Sequence, residues 1–337
     1  MVVDTKFYMD LALSEAWKYQ GLTYPNPAVG CCVVGIHGEI LAVNAHQKAG
    51  QPHAEVMALK DAYFMLTQDK NILRFSSSVD IHKFLLENHN YIFQDCTIYT
   101  TLEPCSHIGK TPSCASLIAS LGIQNIYVGI NDFNQEASCG NKILKDANLS
   151  VYENILSKKA NDLVEPFKAF HHNKFVFFKW AQRLNATVDN GIVSSQESRK
   201  HVHALRNVCD LLVIGGNTVR TDRPTLDARL VNGKAPDILI LSKTKEFDKS
   251  IPLFNVLDRN VFIEDNLSKV NNYKNIMIEG GTTMYELTKN IVDWYLCYIA
   301  PSFGGDKNFS GLTQDRFEIL HTTKNKQDII LWMKREQ

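Results

Sequence analysis

Short apolar runs that favour strands recur along the whole chain with helix-like stretches between them, and this alternation limits the fold more than any other feature. VGCCVV, CTIYTT and NIYVGI stand in the first half; KFVFFKWA, LLVIGG, ILIL, IMIEGG and WYLCYIAP follow in the second. Met9, Leu13, Ala16 and Trp17 keep helical spacing behind Asp4, a capping residue, which predicts a helix over 5–20. VGCCVV and EILAVNA flank a turn at His37-Gly38 and read as a hairpin. A second helix starts behind Pro52, and Cys114 opens a third, ASLIASLG, that Gly122 ends. Strands alternating with helices predict α/β layers, for the first half a three-layer α/β/α sandwich. Residues 67–90 fit no pattern.

With 337 residues the chain is longer than one hydrophobic core usually supports. The helical connector KKANDLVEPFKAFHHNK supplies a seam at His171, His172 and Asn173, so two domains are expected, 1–172 and 173–337. Lys plus Arg balance Asp plus Glu at 36 each, which removes the positive field that binding an extended nucleic acid would need. Asp4, Lys6, Asp10, Glu15 and Lys18 break up the first apolar stretch, unlike a signal peptide or membrane span. A cytoplasmic protein without membrane or nucleic-acid partners is expected. Its eight cysteines then read as thiols or metal ligands rather than a disulfide framework.

Six of those cysteines sit mostly among apolar neighbours; Cys105 and Cys114, in TTLEPCSHIGKTPSC, do not. Upstream stands PHAEVMAL, with His53 and Glu55 at the start of a helix. His53, Cys105 and Cys114 make three zinc ligands of the preferred kinds and leave the fourth position to water, the arrangement of a catalytic site. Glu55, two residues past His53, suits proton transfer rather than ligation. A His-x-Glu segment followed by Pro-Cys and a later cysteine is the signature of zinc deaminases, in which hydroxide displaces an amino group from a ring carbon. A purely structural zinc would want a fourth ligand, and His107 is the nearby candidate.

The second half carries no GxGxxG, so an ordinary dinucleotide fingerprint is absent. NIMIEGGTTMYELTKN offers a strand, then Gly280-Gly281, then Thr282 and Thr283 as caps of a helix whose start favours a phosphate.

TLEPCSHIGKTPSC, with eight residues between its cysteines, resembles the bifunctional riboflavin-biosynthesis deaminase and reductase family, and NPAVGCCVV, HQKAGQPHAE and GGNTVRTDRPTLDAR keep that family's order. The resemblance implies a cytidine-deaminase-like domain followed by a dihydrofolate-reductase-like domain, with zinc and NADPH as cofactors and a phosphoribosylated aminopyrimidine as small-molecule substrate. It allows a homo-oligomer. In the deaminase it implies Glu55 as catalytic residue, with Asn26, His46, Lys110, Asp132 and Asn134 on the substrate; His46 and Lys110 are suited to a phosphate. In the reductase it implies Lys179, Asp222 and Glu279 around the reacting sugar, Arg206 and Arg229 on the substrate phosphate, and Leu226 and Glu279 also on substrate. Ala181, Thr218, Asp222, Gly280, Gly281, Thr282 and Thr283 are implied at the cofactor. Two departures stand out: Phe133 and Gln135 where the family has prolines, and Arg183-Leu184-Asn185-Ala186 where it reads Ser-Leu-Asp-Gly. An active deaminase with a second domain that only binds ligand is the alternative.

Overall fold

The structure, a computed structural model, describes residues 4–106, 112–134, 139–311 and 314–336. The chain forms two compact units, Met1–Lys168 and Ala169–Gln337. Among the described residues no helix is long and apolar enough to cross a membrane.

The first unit runs α1 (Thr5–Trp17), β1 (Gly30–Val34), β2 (Ile40–Ala45), α2 (Ala54–Thr67), α3 (Ser78–Asn88), β3 (Thr97–Leu102), α4 (Cys114–Ser120), β4 (Asn125–Ile130), α5 (Gly140–Asp146), β5 (Ser150–Tyr152) and most of α6 (Ser157–His172), whose last residues belong to the second unit. The sheet order is β2-β1-β3-β4-β5, with β1 antiparallel to both neighbours and β3, β4 and β5 parallel. Asp4 caps α1 by accepting from the Lys6 N–H at 3.2 Å, and the helix ends at Trp17, short of residue 20. It lies so close to β1 that a Cβ on Gly30 would fall 1.9 Å from the Ala12 carbonyl oxygen. On β4, a Cβ at Gly129 would meet the Ala160 side chain of α6 at 3.0 Å, and Gln20 ties the end of α1 to α6 by donating to the Leu163 carbonyl. α1 and α6 thus share one face of the sheet, and α2, α3, α4 and α5, packed against one another, take the other. This is a three-layer sandwich.

Residues 67–90, which showed no pattern, fold into a 3-10 turn at Lys70–Arg74 and then α3, capped where Ser77 accepts from the Asp80 N–H. The buried stripe of α3 is Ser78, Ile81, His82 and Leu85. Half of it is polar, which dilutes the helical signal.

The second unit runs β6 (Phe175–Arg183), α7 (Gln196–Val208), β7 (Leu211–Gly215), α8 (Gly216–Asp222), β8 (Asp237–Leu241), β9 (Val261–Glu264), β10 (Asn275–Glu279), α9 (Thr282–Thr288), β11 (Trp294–Ala300), β12 (Phe317–Asn325) and β13 (Asp328–Arg335). The sheet order is β12-β13-β11-β6-β10-β7-β8-β9, parallel from β11 to β9 and closed at one edge by the antiparallel β12–β13 hairpin. A register shift between Ile319 and His321 breaks the alternation of β12, which is why the sequence does not announce this hairpin. The core stacks Val176, Phe178, Val213, Leu239, Ile276 and Ile278 from neighbouring strands. Because β10 enters between β6 and β7, the connections leave in opposite directions there, and a crevice opens at the strand ends. One sequence expectation is corrected here: Gly281, not Thr282 or Thr283, is the cap of α9, and both threonines lie inside its first turn. Glycine adopts the cap conformation without a side-chain bond, and the Thr282 hydroxyl is turned instead to accept from the Ser310 N–H.

Candidate functional site

In the first unit, three ligand-type atoms converge from separated parts of the chain. His53 occupies the cap position of α2, where its side chain makes no capping bond and is free to point inward. Cys105 follows the end of β3, and Cys114 is the first residue of α4, whose cap Ser113 donates to the Cys105 carbonyl at 2.9 Å and so joins the two cysteine segments. His53 Nδ1 lies 3.6 Å from Cys105 Sγ and 3.4 Å from Cys114 Sγ. A tetrahedral zinc with Zn–N of about 2.0 Å and Zn–S of about 2.3 Å has N···S edges of about 3.5 Å, so the three residues fit that ion. Among the described residues no other His, Cys, Asp or Glu joins the group; His107 lies outside them.

The electrostatics also suit a cation. A hydrogen bond from Cys114 pulls the Cys105 thiol down to about 4 against burial, with His53 assisting. Cys114, as the donor in that bond, is pushed up; the Cys105 direction is the informative one, because the two sulfurs share one proton that a metal would displace. Burial lowers His53, but its hydrogen bond to Cys105 and the nearby negative charge outweigh that and raise it. Glu55, in the first turn of α2, is 3% exposed, and burial raises its carboxyl to about 7.

Around this corner, His46 contacts the His53 ring edge to face at 5.5 Å. Its Nδ1 meets the Pro52 carbonyl at 3.2 Å, so that nitrogen carries the proton and Nε2 accepts from Asn26 Nδ2 at 3.1 Å. Burial keeps the ring neutral, with a pKa near 4. With both nitrogens engaged, His46 fixes the orientation of the Asn26 amide. Asp132 and Asn134 form a turn in which the Asn134 N–H donates to Asp132 Oδ1 at 2.9 Å. Lys110 lies outside the described residues. Sequence reasoning missed Glu103, whose buried carboxylate accepts from the Asp132 and Asn141 N–H groups at 3.0 and 2.9 Å and anchors the Asp132 loop; its place in LEPC, next to a ligand, was the available signal. It also missed His82 on α3, buried with Nε2 lacking a partner and close enough to feel Cys105 and His53.

In the second unit a cavity of about 480 Å³ opens at the β6, β10 and β7 ends. Lys179, Ala181, Arg206, Thr218, Asp222, Glu279, Gly280 and Gly281 line it, so most residues expected at the reductase site come together. Leu226, Arg229, Thr282 and Thr283 are not on its wall. Glu279 is the hub: Arg206 grips it with two bonds of 2.8 and 3.1 Å, and Lys179 Nζ stands 3.6 Å away on the adjacent strand. Burial alone would raise Glu279, but the two cations hold it at about 2. Burial lowers Lys179 more than Glu279 raises it. Arg229 pairs with Asp227 at 2.7 Å on the surface. Leu226 is held in the left-handed region, φ 54°, while Arg259 donates to its carbonyl and to those of Thr225 and Leu253. In the turn that departs from the family pattern, Ala186 takes φ 61°, a conformation glycine adopts without strain, and Arg183 donates to the Asp189 and Asn190 carbonyls at 2.8 and 3.3 Å.

Two family models match the chain. Residues 3–130 match the cytidine and deoxycytidylate deaminase zinc-binding region, and residues 181–331 match the RibD C-terminal domain. The riboflavin biosynthesis protein RibD of Aquifex aeolicus (strain VF5) is 31% identical over 377 aligned positions that span 98% of each chain. A diaminohydroxyphosphoribosylaminopyrimidine deaminase/5-amino-6-(5-phosphoribosylamino)uracil reductase from Thermotoga maritima superimposes with a TM-score of 0.65 at 24% identity, over 98% of each chain. Acinetobacter baumannii RibD does so with a TM-score of 0.62 at 24% identity, over 98% of this chain and 99% of that one. The two structures share the fold.

Two outcomes follow from these geometries. Elemental analysis of the purified protein should find about one zinc per chain, and Cys114→Ser should lose most of it; full zinc retention by that variant would contradict the assignment. The ion pairs at Glu279 stabilise the fold fully above the unfolded carboxyl pKa of about 4.3 and are lost as pH falls from there through about 2, because the folded value is depressed. The stability gap between the parent and Glu279→Gln in denaturant titrations should therefore shrink between about pH 5 and pH 2; a gap constant over that range would contradict it.

Proposed function

Since this chain belongs to the family of the riboflavin biosynthesis protein RibD, a deaminase and reductase on one polypeptide with zinc and NADPH as cofactors, we propose how its residues divide the two reactions. Residues 1–172 form the deaminase domain and 173–337 the reductase domain. The substrate is a phosphoribosylated diaminopyrimidine, as the name of the Thermotoga protein has it for that enzyme. The observation that carries the first reaction is the convergence of His53, Cys105 and Cys114 beside the buried carboxyl of Glu55.

Zinc held by His53, Cys105 and Cys114 supplies the Lewis acidity that brings a water's pKa from 15.7 towards about 7. Glu55 takes one proton from the attacking water and returns protons to the departing amine, so that a ring C–NH2 and water become a ring C=O and ammonia. A carboxyl raised by burial towards neutrality suits both halves of that shuttle. Asn26, with its amide locked by His46, presents a carbonyl oxygen to an amino group or ring N–H of the pyrimidine. Asp132 and Asn134, held by Glu103, provide the opposite wall, and Lys110 meets the phosphate.

In the second reaction NADPH supplies the reducing equivalents. Lys179, an ammonium beside Glu279, is placed to hand a proton to the sugar oxygen as the ribose opens to its ribityl chain. Glu279 favours the charged form of that ammonium against burial, Arg206 holds Glu279 in place, and Asp222 lines the same cavity. Ala181, Thr218, Gly280 and Gly281 form the small-residue wall against which a dinucleotide lies, with Thr282 and Thr283 just behind. Leu226 and Arg229 are the substrate contacts that a bound ligand would have to reach beyond the cavity. The cytoplasm is the compartment proposed, since none of the eight cysteines is in a disulfide, as a reducing environment keeps them.

A coupled assay with the phosphoribosyl diaminopyrimidine, following ammonia and NADPH absorbance in one sample, tests the reading. Glu55→Gln should lower ammonia release by about a thousandfold or more while retaining zinc; the same variant within tenfold of the parent would remove Glu55 from the mechanism.

A further inference from the structure

The reductase cavity holds a cation to which none of the roles above gives work. Arg199, in the second turn of α7, lines the cavity, and its Nε is buried without a hydrogen-bond partner. Among the described residues no carboxylate forms an ion pair with its guanidinium. By contrast, Arg206 on the same wall is forked onto Glu279, and Arg229, off the wall, is paired with Asp227. On the wall itself, Lys179, Arg199 and Arg206 face two carboxylates, Asp222 and Glu279, which leaves one positive charge in excess. His203, also on the wall, adds none near neutral pH, because burial and Arg206 lower its pKa.

A partly desolvated guanidinium without a counterion is costly, and the cost disappears when a ligand brings the anion. The planar guanidinium matches two oxygens of a phosphate better than a single carboxylate oxygen or a hydroxyl. Ser194, on the same wall just before α7, adds a hydroxyl that can donate to the same group. We propose that Arg199 binds a phosphate monoester of a reductase ligand. The inference rests on the reductase reading. Both ligands carry the chemistry: the ribose 5-phosphate of the substrate and the 2′-phosphate that distinguishes NADPH from NADH.

The test uses the full chain with Arg199→Met, which keeps the aliphatic stem, and Arg199→Lys, which keeps the charge. Circular dichroism and thermal unfolding of the full chain first establish that each variant is folded, and ammonia release supplies the intermediate. Four KM values are then measured: NADPH, NADH, the phosphorylated intermediate and its dephosphorylated counterpart. Arg199→Met should raise the KM for one phosphorylated ligand by about 10- to 100-fold with kcat little changed, and Arg199→Lys should recover part of the loss. If NADPH falls to the level of NADH, the 2′-phosphate is the partner. If the intermediate weakens and its dephosphorylated form does not, the partner is the 5-phosphate. All four values within about twofold of the parent, or a loss of kcat at constant KM, would overturn the inference. A parent enzyme that oxidises no NADPH would instead remove the reductase reading itself.

Discussion

Everything in the first unit is arranged around the separation of three atoms, His53 Nδ1 and the sulfurs of Cys105 and Cys114, which must sit at the corners of one tetrahedron although the chain between the first and last spans more than sixty positions. No short loop could set that spacing. It is set by rigid parts: the start of α2, the end of β3 and the start of α4, with Ser113 bonded to the Cys105 carbonyl so that the two cysteine segments move as one. The sheet order places β3 beside β1 and β4, and the helix pair α2 and α4 packs on the same face, so the ligands meet because the sandwich closes. Burial of Glu55 in the first turn of α2 follows from the same packing, and with it the raised carboxyl pKa that proton transfer uses.

The two units handle buried charge in opposite ways. In the first, desolvation outweighs the opposing pull of His53 and lifts the Glu55 carboxyl towards neutrality. In the second, Glu279 receives a bidentate guanidinium and a nearby ammonium, and remains ionised far below its ordinary range. A group that must gain and lose a proton is served by the first environment; a group that must stay charged to position Lys179 is served by the second. The turn after β6 carries the sequence departure. Ala186 takes a left-handed conformation, the Arg183 guanidinium bridges the carbonyls of Asp189 and Asn190, and β6 brings Lys179 and Ala181 to the cavity.

The zinc ligands were legible because residue type, order and helix starts all act locally. Most strands were legible because buried parallel strands read as unbroken apolar runs, as in LLVIGG and ILIL. What escaped depends on tertiary contact. α3 hides its stripe because Ser78 and His82 share it with Ile81 and Leu85, and the β12 bulge erases a period of two. His46 carries no mark of its bond to Asn26, nor Glu103 of its hold on the Asp132 loop, since each partner is fixed only when the sheet forms. Arg206 and Arg229 look alike in the sequence; in the fold one is buried on Glu279 and the other lies on the surface.

The account stands on the fourth position of the metal being left to water. X-ray absorption at the zinc edge of the purified enzyme measures that directly. The expected shell is two sulfurs, one imidazole nitrogen and one light atom that exchanges when a small anion is added. A shell of two sulfurs and two imidazoles with nothing exchangeable, the second supplied by His107, would make the site structural and contradict the account.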